Sequence, residues 1–335
     1  MPEETLFAIW IVGSRIAFAI GIAAILRRWI RQDPALAGRF VVSTIFVVVL
    51  GVACVIVLVV DGDAWLTVFL GLPAVAGALA VLLSPGRTRA SARIGIGVTA
   101  VVLASALLIV LGIEGMVCCL MASPLLALAY GFGTLLGFAI RAVILSATKD
   151  DTALRSTAAG LLLLTLPGAK AVEFRRGDAV RIEAVESRVR IAAPPDAVWN
   201  ALEEIDAVHG PKPLLLRIGL PVPTMCEMEG TGVGARRTCH FDRGRIDEVV
   251  SAWDPPHRME LEIVHWTLPG RHWLGYLSAS YELRPADNGE TEVARITTIS
   301  SNLRPSWYWR PLEHLGVRAE HDYLLQDVKR RLEVE

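Results

Sequence analysis

Residues 183–205 carry the sequence EAVESRVRIAAPPDAVWNALEEI, in which an alternating segment is followed directly by a helical one. The alternation of apolar and polar side chains over residues 183–191 predicts a β-strand. The segment Pro194-Pro195-Asp196 then predicts a first helical turn, because proline is tolerated there and an aspartate is favoured near a helix N-terminus. This short helix is expected to run to about Ile205.

Further strands are predicted downstream, separated by turns rich in glycine and proline. GTGVG at residues 230–234 and DPPH at residues 254–257 mark two of these turns. The segments predicted as strands are residues 224–229, 235–241, 246–253, 259–266, 277–283 and 292–300. Before them, the proline-punctuated residues 211–223 predict a loop or lid with a short helix at residues 214–218.

A long helix is predicted at the C-terminal end, because the apolar residues after Pro305 take helical spacing. The order of strand, helix, strands and long helix is typical of an α+β layer arrangement. In such an arrangement an antiparallel sheet curves around one amphipathic helix. The space between them can hold a ligand.

Several segments of this half resemble a known family. VRIAAPPDAVW at residues 189–199 resembles the opening of START-like domains, the SRPBCC superfamily of polyketide cyclases/dehydrases and lipid-transfer proteins. GTGVG and the WDPP turn at residues 253–256 fit its second hairpin and the following strand end, and the long terminal helix also matches. The resemblance covers about residues 183–335. It implies a helix-grip fold and a hydrophobic ligand, but no particular reaction.

The first half of the chain is strongly apolar, and it raises the hydrophobic content of the 335 residues to 53%. A helix needs about 20 apolar residues to cross the hydrocarbon core of a membrane. The runs that satisfy this are residues 6–26, 40–60, 64–83, 94–113 and 116–140. A sixth run, residues 156–169, is shorter; it either spans with the help of a snorkelling Lys170 or lies at the membrane surface.

These runs divide the chain into two parts. Residues 1–172 are predicted to form a transmembrane helical region of five to six spans, and residues 183–335 a START-like ligand-binding domain. Residues 114–124, EGMVCCLMASP, resemble a segment of bacterial membrane proteins that carry the same kind of domain. In the fifth span, Gly131, Gly133 and Gly137 are predicted to be positions of close helix packing.

Basic residues indicate the orientation of the spans, since Lys and Arg are concentrated in cytoplasmic connections. The basic connections hold Arg27, Arg28 and Arg31, then Arg87, Arg89 and Arg93, then Arg141, Lys149 and Arg155. The alternate connections, residues 61–63 and 114–115, have no Lys or Arg and are predicted to lie outside. This predicts a multi-pass cell-membrane protein. Its soluble domain is extracytoplasmic if the sixth run spans, which we favour, and cytoplasmic if that run lies on the surface.

One charge falls inside a predicted span. Arg15 lies in the first span, where a charged side chain is costly and often has a partner. Glu114, at the outer end of the fourth span, is the predicted partner in a membrane charge pair. The alternative is that Arg15 snorkels outward past Gly13 and Ser14.

Composition and spacing exclude several classes of function. The net charge of −1 gives no general attraction to nucleic acid. No spacing of Cys and His fits a zinc site, so neither a metal nor a cofactor is predicted. The expected partners are the lipid bilayer and a hydrophobic small molecule.

A ligand cavity is predicted between the sheet and the last helix, lined by the inward faces of the strands. The side chains predicted to line it are Arg237, Cys239, Phe241, His265, Tyr281 and His321. His314 shares nearly one helix face with His321 and could also face the sheet. The alternative is a filled core in which these polar groups are satisfied.

A disulfide is a further prediction. If the glycine turn pairs Gly230 with Ala235, Cys226 lies opposite Cys239 on the neighbouring strand. A cross-strand bridge could then form on the oxidising side of the membrane.

Three functions fit these patterns. The leading hypothesis is non-enzymatic binding, or transfer, of a lipid or other hydrophobic molecule by a domain held at the membrane. The second is a cyclase- or hydrolase-like reaction in the same cavity, for which His265, His321 and Tyr281 are the titratable candidates. The third is a membrane-tethered signalling or assembly module.

Overall fold

The computed structural model describes residues 65–82, 102, 115–147, 152–176, 180–203 and 205–333. The predicted spans at residues 6–26 and 40–60 lie outside the described residues, as does all but one residue of the span at 94–113. Arg15 and Glu114, the predicted charge pair, also lie outside them.

The described residues of the apolar first half form four helices. They are α1, Leu66–Leu82, whose beginning Leu66–Gly71 is π-helical, α2, Met116–Ala147, α3, Thr152–Leu163, and α4, Thr165–Arg176. Among the described residues, α2 is the one helix that is long and apolar enough to cross a membrane; α1 is apolar but shorter. The bundle of five to six spans therefore stays a prediction.

Helices α1 and α2 approach each other closely through glycines. A Cβ atom on Gly133 would lie 1.8 Å from the carbonyl oxygen of Ala74, and one on Gly137 would lie 2.8 Å from that of Ala78. Gly131 faces no described atom within 4 Å of its Cβ position. Two of the three glycines predicted to pack closely therefore form the contact, which only a residue without a side chain permits.

Both ends of α1 are bound by buried charged side chains. At its start, Glu173 of α4 accepts hydrogen bonds from the backbone N–H of Leu66 and from the N–H and hydroxyl of Thr67, the last at 2.7 Å. At its end, Arg141 of α2 donates to the carbonyl oxygen of Val81 at 3.0 Å. A negative group at the N-terminus and a positive group at the C-terminus both stabilise a helix through its dipole.

The sixth apolar run forms two helices, because α3 and α4 are separated by a turn at Leu164. Ala159 of α3 belongs to the same buried cluster as Val75 in the second part of α1. Leu166 of α4 lies beside Gly71, nearer the start of α1. The run therefore extends along α1 in the antiparallel direction and ends where α1 begins.

A seven-stranded antiparallel sheet forms the second half, with the strand order β1-β7-β6-β5-β4-β3-β2. The strands are β1 Arg181–Ile191, β2 Pro223–Glu229, β3 Arg236–Phe241, β4 Gly244–Asp254, β5 Arg258–Trp266, β6 Leu274–Pro285 and β7 Thr291–Ser301. Helices α5, Pro195–Glu203, and α6, Leu214–Arg217, connect β1 to β2. Helix α7, Ser306–Glu333, follows β7. The predicted antiparallel sheet with a long terminal helix is confirmed.

The core of this domain lies between the sheet and the C-terminal half of α7. Leu324, Leu325 and Val328 are buried there in one cluster with residues of the sheet. Trp199 of α5 packs edge-to-face on Trp253 of β4, with ring centroids 5.0 Å apart. Burial of each such side chain stabilises the fold by roughly 1.5–3 kcal/mol, so this half of α7 is held firmly on the sheet.

We expect Gly133→Leu to weaken the contact between α1 and α2. The new side chain would collide with the backbone of Ala74, and overpacking of this kind costs about 1–3 kcal/mol or more. Thermal unfolding of the full chain in mild detergent should show a lower midpoint. Gly131→Leu is the matched control; equal midpoints for the two variants would contradict the packing.

Candidate ligand cavity between the two halves

A cavity of about 250 Å³ lies between the sheet, the N-terminal half of α7 and the first turns of α1 and α2. Its wall is mostly apolar. Phe241 and Ile263 contribute to it from the sheet, whereas Val68 and Ala122 contribute from the apolar first half. Two parts of the chain that are far apart in sequence therefore share one cavity.

The sequence of α7 explains why the cavity exists. Glu313, Gly316 and Glu320 occur at helical spacing on one face, and all three line the cavity. Glycine has no side chain to fill the space, and the two carboxylates are bound to other groups at the wall. Although Leu312 and Val317 also line the cavity, this part of α7 leaves space open beside Gly316, whereas Leu324, Leu325 and Val328 fill the core further along the same helix.

An aromatic cluster closes the cavity on the side of the apolar helices. The ring of Phe69 from α1 lies 5.0 Å from that of Trp309 and 5.5 Å from that of Trp273, centroid to centroid. The hydroxyl of Tyr308 donates a hydrogen bond to the carbonyl oxygen of Met121 in α2. These contacts join the start of α7 to the starts of α1 and α2.

The polar part of the wall consists of paired charges. Arg295 of β7 donates to Glu320 of α7 at 3.1 Å. Glu248 of β4 lies 3.3 Å from the guanidinium of Arg237, which is almost fully buried behind it. Each charge on this side of the cavity thus has an opposite charge within contact distance.

A third pair lies nearer the start of α7. Glu313 binds the guanidinium of Arg181 and accepts a hydrogen bond from the hydroxyl of Ser301 at 2.6 Å. The carboxylate is 5% exposed, so its charge is almost fully removed from water. Without Arg181 such a burial would be strongly unfavourable.

Burial and neighbouring charges set the protonation of these groups. Burial opposes the charge of Arg295, but Glu320, Tyr281 and Glu248 together raise its pKa above the ordinary value. Burial raises the pKa of Glu248, and Arg237 and Arg295 oppose this shift. The arginine therefore stays charged, and Glu248 binds a proton more readily than a glutamate in water.

The six side chains predicted to line the cavity have different positions in the structure. Phe241 lines it. Arg237, Tyr281 and His321 are buried deeper, outside its wall, and Cys239 is joined in a disulfide. The ring of Tyr281 lies between two guanidinium groups, 5.6 Å from that of Arg237 and 5.5 Å from that of Arg295.

His265 is a correction. It was expected to face inward with Ile263, but its side chain is 56% exposed and contacts Asp247 at 3.1 Å. The reason is a β-bulge in β5. Glu248 of β4 pairs with Ile263 and the adjacent Asp247 pairs with His265, so Val264 between them is an extra residue without a partner in β4. An inserted residue reverses the alternation of faces beyond it.

His321 is a satisfied core histidine. It is fully buried, and its two ring nitrogens lie 2.8 Å from the hydroxyl of Thr297 and 3.2 Å from that of Ser187. Burial lowers its pKa well below the usual value, and Arg295 and Arg318 lower it further. His314 lies away from the cavity wall, with Glu183 at 2.8 Å. The two histidines therefore share no site.

The cavity residues that the sequence did not reveal come from both halves. Cys118, Trp273, Tyr276 and Glu320 are examples. Burial raises the pKa of Tyr276, so its hydroxyl stays protonated. One signal in the sequence does point to this region: residues 307–309 are three successive aromatic residues, a pattern that indicates either anchoring at a membrane interface or packing at a helix start. Trp307 is exposed, while its two neighbours pack on the apolar helices.

The structure joins Cys226 to Cys239 in a disulfide between β2 and β3. The two residues are direct partners in the strand register, as pairing of the glycine turn requires. Among the described residues, no group of three or more His, Cys, Asp or Glu side chains could hold a metal ion.

The second half is similar to a known protein family. Residues 183–333 match the family model described as polyketide cyclase/dehydrase and lipid transport. The match supports a START-like domain of this kind at residues 183–333 and leaves the first half unassigned. No curated protein matches the chain.

Solved structures similar to the chain cover somewhat less than half of it. The aromatase/cyclase ZhuI from Streptomyces sp. R1128 is 20% identical over 45% of this chain and 96% of its own, with a TM-score of 0.32. The Aha1 protein of Colwellia psychrerythraea is 18% identical over 45% of this chain and 97% of its own, with a TM-score of 0.31. Norcoclaurine synthase from Thalictrum flavum is 14% identical over 47% of this chain and 90% of its own, also with a TM-score of 0.31.

We expect the domain to lose stability as the pH falls below about 6.5, the ordinary histidine pKa. The unfolded chain then protonates His321, whereas the folded core keeps it neutral, so protonation favours unfolding by up to about 1.4 kcal/mol per pH unit. Between pH 7.5 and 5.5, the unfolding midpoint should change less in His321→Gln than in the unaltered protein. The exposed His265→Gln is the control; a flattened profile in the control instead would contradict the assignment.

Proposed function

We propose that the protein binds a lipid or another hydrophobic small molecule in this cavity while its first half holds it at a membrane. The observation that carries the proposal is the shared wall: the first turns of α1 and α2 line the same cavity as the sheet and α7. A soluble binding domain would close its cavity with its own loops. Here two apolar helices complete the closure.

The position of the cavity favours a ligand that comes from the bilayer. Large apolar side chains on α2, among them Leu128, Phe132 and Leu135, are exposed in the described structure. Lipid is the environment in which such a surface is stable. A cavity next to such a surface meets an apolar ligand at a high effective concentration.

The contacts support an extracytoplasmic position for the domain. It packs on the starts of α1 and α2, whereas the basic connections at residues 87–93 and 149–155 follow their ends. The basic ends are expected to be cytoplasmic. The path of α3 and α4 along α1 agrees with a sixth span, and a disulfide between Cys226 and Cys239 fits an oxidising compartment.

The enzymatic hypothesis has less support from the positions of its candidates. It required His265, His321 or Tyr281 inside the cavity, and none of these three lines the wall. The module hypothesis requires a filled core, whereas the described cavity is open between the halves. Binding therefore stays the leading function.

We expect Gly316→Phe to block the cavity without preventing folding. A Cβ atom at this position meets only the side chain of Leu220, at an ordinary 3.7 Å, among the described atoms, and the ring would then enter the cavity. Native mass spectrometry of the protein purified in mild detergent should show at least a tenfold loss of co-purified apolar ligand. Tenfold corresponds to about 1.4 kcal/mol.

Leu315→Phe provides the matched control, because Leu315 is the adjacent residue of α7 and is exposed. It should keep the ligand of the unaltered protein. Equal ligand content in both variants, or no ligand in the unaltered protein after incubation with lipid vesicles, would contradict the binding function.

A cysteine at Asp287 should report the side of the membrane. Asp287 is exposed at the turn between β6 and β7. In intact cells, an impermeant maleimide should label Asp287→Cys but should label Thr88→Cys, in a predicted cytoplasmic connection, only after permeabilisation. The reverse pattern would place the domain in the cytoplasm.

A further inference from the structure

The charges in the cavity wall are balanced. The described residues that line the cavity include four with a formal charge: Glu248, Arg295, Glu313 and Glu320. Arg295 and Glu320 pair with each other, and Arg237 and Arg181 stand behind the other two carboxylates. By formal charge, the group therefore has three negative and three positive members, with no net charge.

The histidine in the wall adds no charge at neutral pH. His272 lies in the segment between β5 and β6, and burial, together with the nearby Arg271, lowers its pKa. The remaining polar side chains of the described lining carry no formal charge, for example the hydroxyls of Tyr276 and Thr297 and the indole of Trp273. Every charged side chain that the described residues place at this wall thus has a protein partner of opposite charge.

Among the described residues of the wall, a charged ligand group would find no unpaired counter-charge. Taking a charge out of water is unfavourable unless an opposite charge receives it. A phosphate would have to break the contact of Arg295 with Glu320, and an ammonium group would have to take a carboxylate from its arginine. A hydroxyl or ester needs only a hydrogen-bond partner, which the paired carboxylates, guanidinium groups and hydroxyls supply.

We propose that the cavity selects an apolar molecule whose polar end is uncharged, such as a hydroxyl or an ester group, over a lipid with a charged head group. This inference rests on the proposed binding function. Diacylglycerol represents the chemistry that is favoured. Phosphatidic acid and a diacyl trimethylammonium lipid represent the two disfavoured chemistries, an anionic and a cationic head group.

The test compares these three lipids with identical acyl chains. The full-length protein is incubated in mild detergent with an equimolar mixture, and bound species are counted by native mass spectrometry. Diacylglycerol should be bound at least tenfold more than either charged lipid. Equal or stronger binding of phosphatidic acid or of the cationic lipid would overturn the inference.

A charge variant tests the cause of the selectivity. Glu320→Gln leaves Arg295 without its partner and gives the wall one net positive charge. Binding of phosphatidic acid should therefore gain at least tenfold relative to binding of diacylglycerol. Adding Arg295→Gln should remove this gain. Glu260→Gln, which removes one partner of an exposed pair with Arg258, should change nothing.

Failure of this inference and failure of the binding function give different results. If a charged lipid binds best and Gly316→Phe abolishes its binding, the cavity binds lipid and the uncharged selectivity is wrong. If none of the three lipids binds, or if Gly316→Phe has no effect on those that do, the binding function itself is wrong, and the selectivity falls with it.

Discussion

One helix covers only part of a seven-stranded sheet, and the architecture follows from how the remainder is covered. The C-terminal half of α7 packs on the sheet with leucine and valine side chains, which gives a filled core. Nearer its N-terminal end, α7 lines the cavity with Trp309, Leu312 and Val317, but Gly316 lies among them without a side chain and Glu313 and Glu320 are held by arginines, so the space is not filled. The first turns of α1 and α2 cover what remains, so the cavity is a consequence of incomplete coverage by α7.

The junction between the halves is held at more than one point, which gives the cavity a defined shape. Phe69 packs between two tryptophans of the domain. Glu173 ties α4, the last helix before β1, to the first turn of α1. Because the connection and the contact surface meet at the same end of α1, the domain has little freedom to turn away from the apolar helices.

The sequence predicted those features that depend on neighbouring residues. Alternation identified the strands, and the helical period after Pro305 identified α7. His265 was assigned to the wrong face because one extra residue at Val264 reverses the alternation, and a bulge leaves no mark in the apolar pattern. The aromatic junction was not predicted because Phe69 and Trp309 come from distant parts of the chain, and only the fold brings them together.

The paired charges in the cavity need an explanation other than stability. Replacing a buried ion pair with well-packed apolar residues is often neutral or stabilising, so three such pairs add little to a fold that already has an apolar core. They do keep polar groups at a wall that faces an apolar space. A patch without net charge can exchange hydrogen bonds with a neutral oxygen while it excludes ions. The proposed selection of an uncharged ligand would account for these pairs better than stability does.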